Sequence, residues 1–503
     1  MSKRINILVT LLVIASFVLA SCTTPTAAPT KVAEPTAVPA KVEPTAAPAK
    51  VEATAAPVVE PTAVPAQPEP TAAPTATILG GNCSGTPVRW FIGLGAGGNP
   101  EEIVKETAFL DKFNAKYGDK YCLQMDVVQN ATAYDVLKTQ IASGDVPDIV
   151  GPVGVRGLWS FEGAWLDLSE LIKKNNYDTS DFNPALIEFY KLGPMGQVGL
   201  PFAVYPSALW YNKDLFDEAG LPYPPHKYGE QYNGKTWDFA ALREIAMQLT
   251  VDKTGNTPND AGFDAENITQ FGYDAMWTDI RGKWTFFGAG SFNDNGKAVL
   301  PAVWKEAAKW YYDGMWKDHF IPNDNYVNSD YLGQGNTFNS GHVAMTPIHT
   351  WFTCCADKVA NWDLAAIPSY NGQTTAKMHA DTFAILKGTK NADASFAVLS
   401  LMLGEFAPDL IEVYGAFPAR ASLQASALEK MKAKFPNVDF QVFIDSMNYP
   451  DNPNHESGMP NFLKASDTYT AFASKYQTTP DLDLDKELET LIAELQKVFD
   501  EVK

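Results

Sequence analysis

The sequence predicts an α/β protein of two lobes, held behind an export signal and a long spacer. Three observations lead there. Strand and helix patterns alternate from Val88 onward. Residues 79–503 exceed the roughly 250–300 residues at which one hydrophobic core stops growing. The stretch before them has the composition of a secreted, tethered N-terminus.

Lys3 and Arg4 form a positive start, and Ile5–Ala20 is an apolar run. That run is shorter than the roughly 20 residues of a membrane span, so residues 1–21 read as a signal peptide. It ends in Leu19-Ala20-Ser21-Cys22, which resembles a bacterial lipobox. Cleavage before Cys22 would leave its sulfur for lipid; the alternative is an ordinary signal peptide with a chance cysteine. Residues 23–78 contain no aromatic residue and no glycine, and they repeat a unit typified by Glu34-Pro35-Thr36-Ala37-Val38-Pro39-Ala40-Lys41-Val42. Frequent proline blocks helix and sheet, and nothing here can form a core. Residues 22–78 are therefore expected to be a lipidated cysteine followed by a disordered linker. The chain carries a net charge of −20, and losing Lys3 and Arg4 makes it more acidic. No basic patch stands out, which excludes nucleic acid and anionic lipid as natural partners.

In the remaining chain, Val88–Ile92 reads as a strand and Pro100–Tyr117 as a helix, with Asn99 at its N-cap and Pro100 at its first position. Leu123–Val128 is a second strand, and Ala133–Ser143 a helix ended by Gly144. Asp148–Val150 is a short buried strand. This order predicts right-handed βαβ units and a parallel sheet. Further helices are expected over Phe239–Leu249, Pro301–Asp313, Ala392–Leu403 and Lys486–Val498. Trp304, Trp310 and Trp316 fall on or near one of these patterns and read as core.

Gly93-Leu94-Gly95-Ala96-Gly97-Gly98 satisfies the dinucleotide-binding pattern between a strand and a helix. That fingerprint also wants an acidic residue at the end of the second strand. Here the strand ends in Val127-Val128-Gln129-Asn130, and Asp126 comes too early. The loop is instead assigned to a ligand crevice, with Gly95 as a candidate contact. Cys83 and Cys122 precede neighbouring strands, so they either form a bridge or remain two free thiols. Cys354-Cys355 is either a vicinal disulfide or two buried thiols.

The run Leu200-Pro201-Phe202-Ala203-Val204-Tyr205-Pro206-Ser207-Ala208-Leu209-Trp210-Tyr211-Asn212-Lys213-Asp214-Leu215-Phe216-Asp217-Glu218-Ala219-Gly220-Leu221, followed by Thr236-Trp237-Asp238, resembles the signature of family 1 bacterial extracellular solute-binding proteins. These are sugar-binding subunits of ABC importers, with maltose-binding protein among them. Four further runs match family landmarks in order: Gly144-Asp145-Val146-Pro147-Asp148-Ile149, Phe338-Asn339-Ser340-Gly341-His342-Val343-Ala344-Met345, Ile385-Leu386-Lys387-Gly388-Thr389-Lys390-Asn391 and Gly415-Ala416-Phe417-Pro418-Ala419-Arg420. Together they span essentially the whole of 84–503. An insertion at Tyr223–Tyr232 and an unusual Asn371–His379 segment depart from the pattern, so ligand identity does not transfer from any one relative.

The resemblance implies the two-lobe periplasmic-binding-protein fold, each lobe a mostly parallel sheet flanked by helices, with the ligand cleft at the hinge. The first lobe is expected to hold 79–202 and 373–414, the second 207–368 and 420–503. It implies a monomer that captures a carbohydrate and passes it to permease subunits, outside the cytoplasmic membrane or in the periplasm, with no cofactor, no metal and no enzymatic activity. A sugar needs aromatic rings for its C–H faces and Asp, Asn, Arg or His for its hydroxyls. Trp351, six positions after Met345, matches a sugar-stacking position of maltose-binding protein. The remaining candidates are Tyr205, Arg156, Trp277, Asp279, Arg281, His379 and Asp381. Each has a structural alternative as a core or surface residue. The rival readings keep the fold with a peptide, polyamine or glycerol phosphate as ligand, or make the chain a glycoside hydrolase with Asp279 and Asp381 as its carboxylates.

Overall fold

The structure, a computed structural model, describes residues 76–502. The signal peptide, Cys22 and all but the end of the expected linker lie outside the described residues. Nine strands build the main sheet: β1 (Thr77–Gly80), β2 (Thr86–Phe91), β3 (Tyr121–Val127), β4 (Ile149–Gly154), β5 (Gly199–Asn212), β6 (Met345–His349), β7 (Trp362–Ala365), β8 (Met378–Ile385) and β9 (Phe417–Pro418). Their order is β1-β3-β2-β4-β8-β5-β6, with β7 and β9 also paired to β5. The expected βαβ units are present: β2 runs parallel to both β3 and β4. Chain reversals bring β8 antiparallel to β4 and β5, and β6, β7 and β9 antiparallel to β5. β1 begins at Thr77, inside the stretch expected to be linker, because Thr77–Gly80 pairs with the open edge of β3.

The helices fall where periodicity places them. α1 (Pro100–Tyr117) has Pro100 at its start and Asn99 in extended conformation before it. α2 (Asn130–Ser143) stops at Gly144, whose φ of 77° is a left-handed cap that a β-carbon would strain. α3 (Val155–Ser160) follows β4 directly. α4 (Phe239–Gln248) is capped by the Asp238 carboxylate, which accepts from the N–H groups of Ala240 and Ala241. α5 (Ile280–Trp284), α6 (Ala302–Trp316), α7 (Ala392–Leu403), α8 (Ala407–Tyr414), α9 (Ala421–Lys434), α10 (Gln441–Ser446), α11 (Phe462–Thr478) and α12 (Leu484–Asp500) complete the main set. In α12 Leu488, Leu491 and Leu495 are buried at helical spacing against the core. Trp304 is fully buried, and Trp310 and Trp316 pack partly buried against the same core.

The apolar side chains separate into clusters by chain segment. Residues 88–205 share two clusters with 378–419. Residues 209–376 share another with 459–499. A fourth joins β5 and β7 to Phe440 and Phe443. Cys83 and Cys122 are bridged, 39 positions apart. Closing a loop of about 40 residues restricts the unfolded chain by roughly 3–4 kcal/mol. Cys355 is also disulfide-bonded.

One buried carboxyl stands out in the first of these clusters. Glu106 on α1 is fully buried, and Tyr414 on α8 donates to its Oε1 at 2.6 Å. Burial pushes its pKa up to about 8, with repulsion from Glu102 adding and the Tyr414 bond opposing. Glu106 is thus a neutral acid in the fold at pH 7 and ionised in the unfolded chain. A raised folded pKa gives stability that is full at low pH and is lost as pH rises through the folded value. Melting temperatures of the wild type and Glu106→Gln should converge near pH 5. The wild type should fall progressively below the variant as pH rises to about 8. A constant difference over that window would contradict a buried neutral acid.

Candidate functional site

The site forms where β5 changes partners. Its first half pairs with β8, up to Met378 opposite Pro206; its second half pairs with β6, from His349 opposite Ser207. Directly opposed residues share a face, and side chains on that face recur every second residue. Tyr205, Ser207, His349, His379 and Asp381 therefore gather on one side of the sheet, at the ends of β6 and β8.

Their rings form a continuous row. Trp277 and Trp351 stack with centroids 5.7 Å apart and planes 8° from parallel. Trp351 stacks next on His349 at 5.7 Å. His349 packs on His379 at 4.2 Å, and His379 on His455 at 5.1 Å. Trp277 ends the row 46% exposed, with a left-handed φ of 53°. A large side chain at such a φ is a conformation held by its surroundings. Here Trp351 stacks on one face, and Phe352 meets the ring edge-on at 5.4 Å.

Each histidine is oriented by a second contact. His349 Nδ1 donates to the Tyr205 carbonyl at 2.6 Å, which leaves its buried Nε2 unprotonated and without a partner. His455 Nδ1 donates to Asp451 at 2.6 Å, and its Nε2 faces Nε2 of His379 at 3.2 Å. Asp451 is itself fixed by the N–H groups of Met378 and His455. Burial pushes the His379 imidazole down to about 4 against the pull of Glu456. Burial, reinforced by Glu456, pushes Asp381 up to about 7, although its hydrogen bond with Tyr205 opposes this. Lys377 is driven down to about 8 by burial, in spite of Asp279, Asp451 and Glu456. At neutral pH the His349 and His379 rings are thus neutral, while Lys377 keeps its positive charge and Glu456 its negative one, so the face is polar with opposed charges at its edge, flanked by aromatic rings.

Trp351, Tyr205, His379, Asp381 and Trp277 are brought together. The other candidates are placed differently. Asp279 and Arg281 do not share an open face with Trp277. Asp279 caps α5 through the Gly282 N–H and accepts from Tyr469, while the Arg281 side chain is 2% exposed. Its guanidinium is engaged by Asp279, Tyr469 and the Ser457 carbonyl, and stacks over the Tyr469 ring at 4.7 Å. Burial opposes the Arg281 charge, but Asp279 more than compensates and raises its pKa. The pair supports the fold, and Asp279 is spoken for as a glycosidase carboxylate. Arg156 is exposed on α3, and only its backbone N–H reaches the cluster, at Glu456. Gly95 lies in the glycine loop, where a β-carbon would meet the Pro152 carbonyl at 2.5 Å. Glu102 occupies the amides there, accepting from Gly97 and Asn99, so the loop offers no phosphate cradle. Cys354 and Cys355 lie at the end of the short helix that follows β6.

Sequence reasoning missed His349, Lys377, Asp451, His455 and Glu456. His349 precedes the chosen Trp351 by two positions, and that spacing was a usable signal. His455 and Glu456 sit in an irregular loop whose destination no periodicity reveals. Two surface grooves of about 800 Å³ contain none of the clustered histidines; one lies elsewhere, and the other borders the cluster at Met378 and Asp451.

A two-lobe α/β frame, with polar and aromatic side chains collected where its central strand changes partners, defines a binding protein. The chain belongs to the bacterial extracellular solute-binding protein family, whose model matches residues 99–405. Among solved structures, UspC of Mycobacterium tuberculosis is similar at 21% identity and a TM-score of 0.63, over 82% of this chain and 100% of that one. Lmo0181 of Listeria monocytogenes, an ABC substrate-binding protein in complex with cycloalternan, has 19% identity and a TM-score of 0.63, over 83% and 99%. UgpB of Mycobacterium tuberculosis, in complex with glycerophosphocholine, has 16% identity and a TM-score of 0.61, over 82% and 98%. At these identities the likeness is one of fold. A comparison with curated proteins finds no match.

Removing the Arg281 charge would strand the Asp279 carboxylate. Arg281→Met should cost about 3 kcal/mol or more of unfolding free energy, the scale of breaking a buried pair. Trp277→Ala, at the exposed end of the row, should change stability far less. Denaturant titrations of both variants check this; equal losses would contradict the division between support and site.

Proposed function

We propose that this protein captures a carbohydrate, an oligosaccharide in particular, and delivers it to the permease of an ABC importer. The observation that carries the reading is the Trp277–Trp351–His349 stack beside the polar face of Tyr205, His379 and Asp381. Flat rings complement the C–H faces of a sugar, and neutral polar groups complement its hydroxyls. The carboxylates here already face the Arg281 and Lys377 cations, which argues against a polyamine, a ligand that needs several unpaired carboxylates. The occupied amides of the glycine loop argue against a phosphate cradle there. That Lmo0181 is in complex with cycloalternan adds weight to a saccharide.

In this reading residues 79–202 with 373–414 form one lobe, and 207–368 with 420–503 the other. The grouping of the apolar clusters supports that division. Closure about the segments between them buries the solute. The mature chain acts as a monomer, tethered outside the cytoplasmic membrane through lipid on Cys22, with residues 23–78 as spacer.

A thermal-shift screen against oligosaccharides, peptides, polyamines and phosphate esters should select a saccharide. Ligand at 100 times its dissociation constant should add about 2.7 kcal/mol of stability. Trp351→Ala should weaken calorimetric binding of that saccharide by about 5- to 150-fold, the equivalent of 1–3 kcal/mol. Its melting temperature should change little. Unchanged affinity would remove Trp351 from the site, and product formed from the saccharide would favour a hydrolase. Separately, Cys22→Ala should abolish lipid incorporation and move the protein to the soluble fraction. Persistent membrane association would argue against the anchor.

A further inference from the structure

Three of the six histidines meet in one cluster, and two of them turn the same nitrogen toward one point. His379 comes from the start of β8. His455 and Glu456 come from the loop between α10 and α11. One donor atom from each of these three residues lies within 4.8 Å of the others. The Nε2 atoms of His379 and His455 are 3.2 Å apart. Two nitrogens bound to one tetrahedral zinc, each at about 2.0–2.1 Å, stand about 3.3–3.4 Å apart.

The support around the cluster is that of a ligand set. His455 gives its Nδ1–H to Asp451, the carboxylate–histidine arrangement that fixes which nitrogen faces a metal. Asp451 is wholly buried and held by two backbone N–H groups, so His455 has little freedom to turn. The Glu456 carboxylate is placed by the Arg156 N–H at 3.4 Å. Arg281 and Lys377 bring positive charge close, and Asp279, Asp381 and Asp451 offset it. His349 lies behind His379 with its own Nε2 buried and unpartnered.

We propose that His379 Nε2, His455 Nε2 and the Glu456 carboxylate form a binding site for a divalent transition ion of the zinc type. Two imidazoles and one carboxylate suit zinc, cobalt or nickel, and not calcium or magnesium, which take oxygen ligands. Three protein ligands leave a fourth position for water or a donor atom of a solute. The ion ties β8 to the 451–456 loop, and it does so whether or not the solute is a carbohydrate.

The test uses the full chain, stripped with a chelator and titrated with Co²⁺ alone, then with Zn²⁺. One equivalent of Co²⁺ should bind with the visible absorption of a tetrahedral ion, and Zn²⁺ should displace it. His455→Ala and Glu456→Gln should each lose this saturable equivalent, while His342→Ala, at a half-buried histidine stacked on Tyr331 away from the cluster, should retain it. Asp451→Asn should keep the stoichiometry and weaken affinity about 10- to 100-fold. Circular dichroism of each variant separates lost binding from lost fold, and the wild-type titration decides the matter by itself. No saturable equivalent in the wild type, or binding that survives both His379→Gln and His455→Ala, would overturn the proposal. The 3.2 Å contact would then be an N–H···N hydrogen bond between the two imidazoles.

Discussion

Strand β5 is the constraint on which the rest of the structure depends. All fourteen of its residues are buried. At about 3.4 Å per residue it is roughly 45 Å long, and it pairs along its length with β8, β6, β7 and β9. Its alternation feeds different cores. Leu209 and Tyr211 enter one cluster, Ala208 and Trp210 another, and Leu200 and Phe202 a third. A one-residue slip would exchange all of these assignments, so register is strongly fixed. Because it is fixed, His349 and His379 must meet over Tyr205 and Ser207.

That junction also explains the electrostatics. A sheet buried on both sides takes ionisable groups only if they pair or neutralise. Arg281 and Asp279 pair. His349 and His379 are held neutral, and Asp381 is drawn toward protonation. Neutral imidazoles set among charges that offset one another suit the hydroxyls of a neutral solute, and their nitrogens are also the donors of the proposed metal site. The same economy appears at the glycine loop. Glu102 takes the amides that a phosphate would otherwise use, and the Asn130 side chain ties the loop through the Gly93 carbonyl. A loop of dinucleotide-binding pattern is thus closed by its own side chains.

The elements legible in the sequence were those with a local cause. Pro100–Tyr117 and Ala392–Leu403 were read with their boundaries, because proline and asparagine start the one and the other has a continuous apolar face. Gly144 ended its helix because its φ demands glycine. Less legible was β5, whose unbroken burial removes the alternation that marks an ordinary strand. Within the site, Trp351 and Trp277 were singled out separately, and nothing local says that their rings are parallel. Arg281 is a candidate by residue type alone, and α5, which begins at Ile280, turns it into the core.

The sequence by itself determined the α/β class, the family and the order of the first βαβ units, because each rests on short-range pattern. It also placed Cys83 and Cys122 at neighbouring strand starts, where the bridge forms. Only the tertiary structure decided which polar residues converge. His349, His379 and His455 come from three segments separated by tens of residues, and their meeting depends on strand register and on the path of one irregular loop. Register is a property of paired strands, summed over every contact they bury. No window of the sequence contains it.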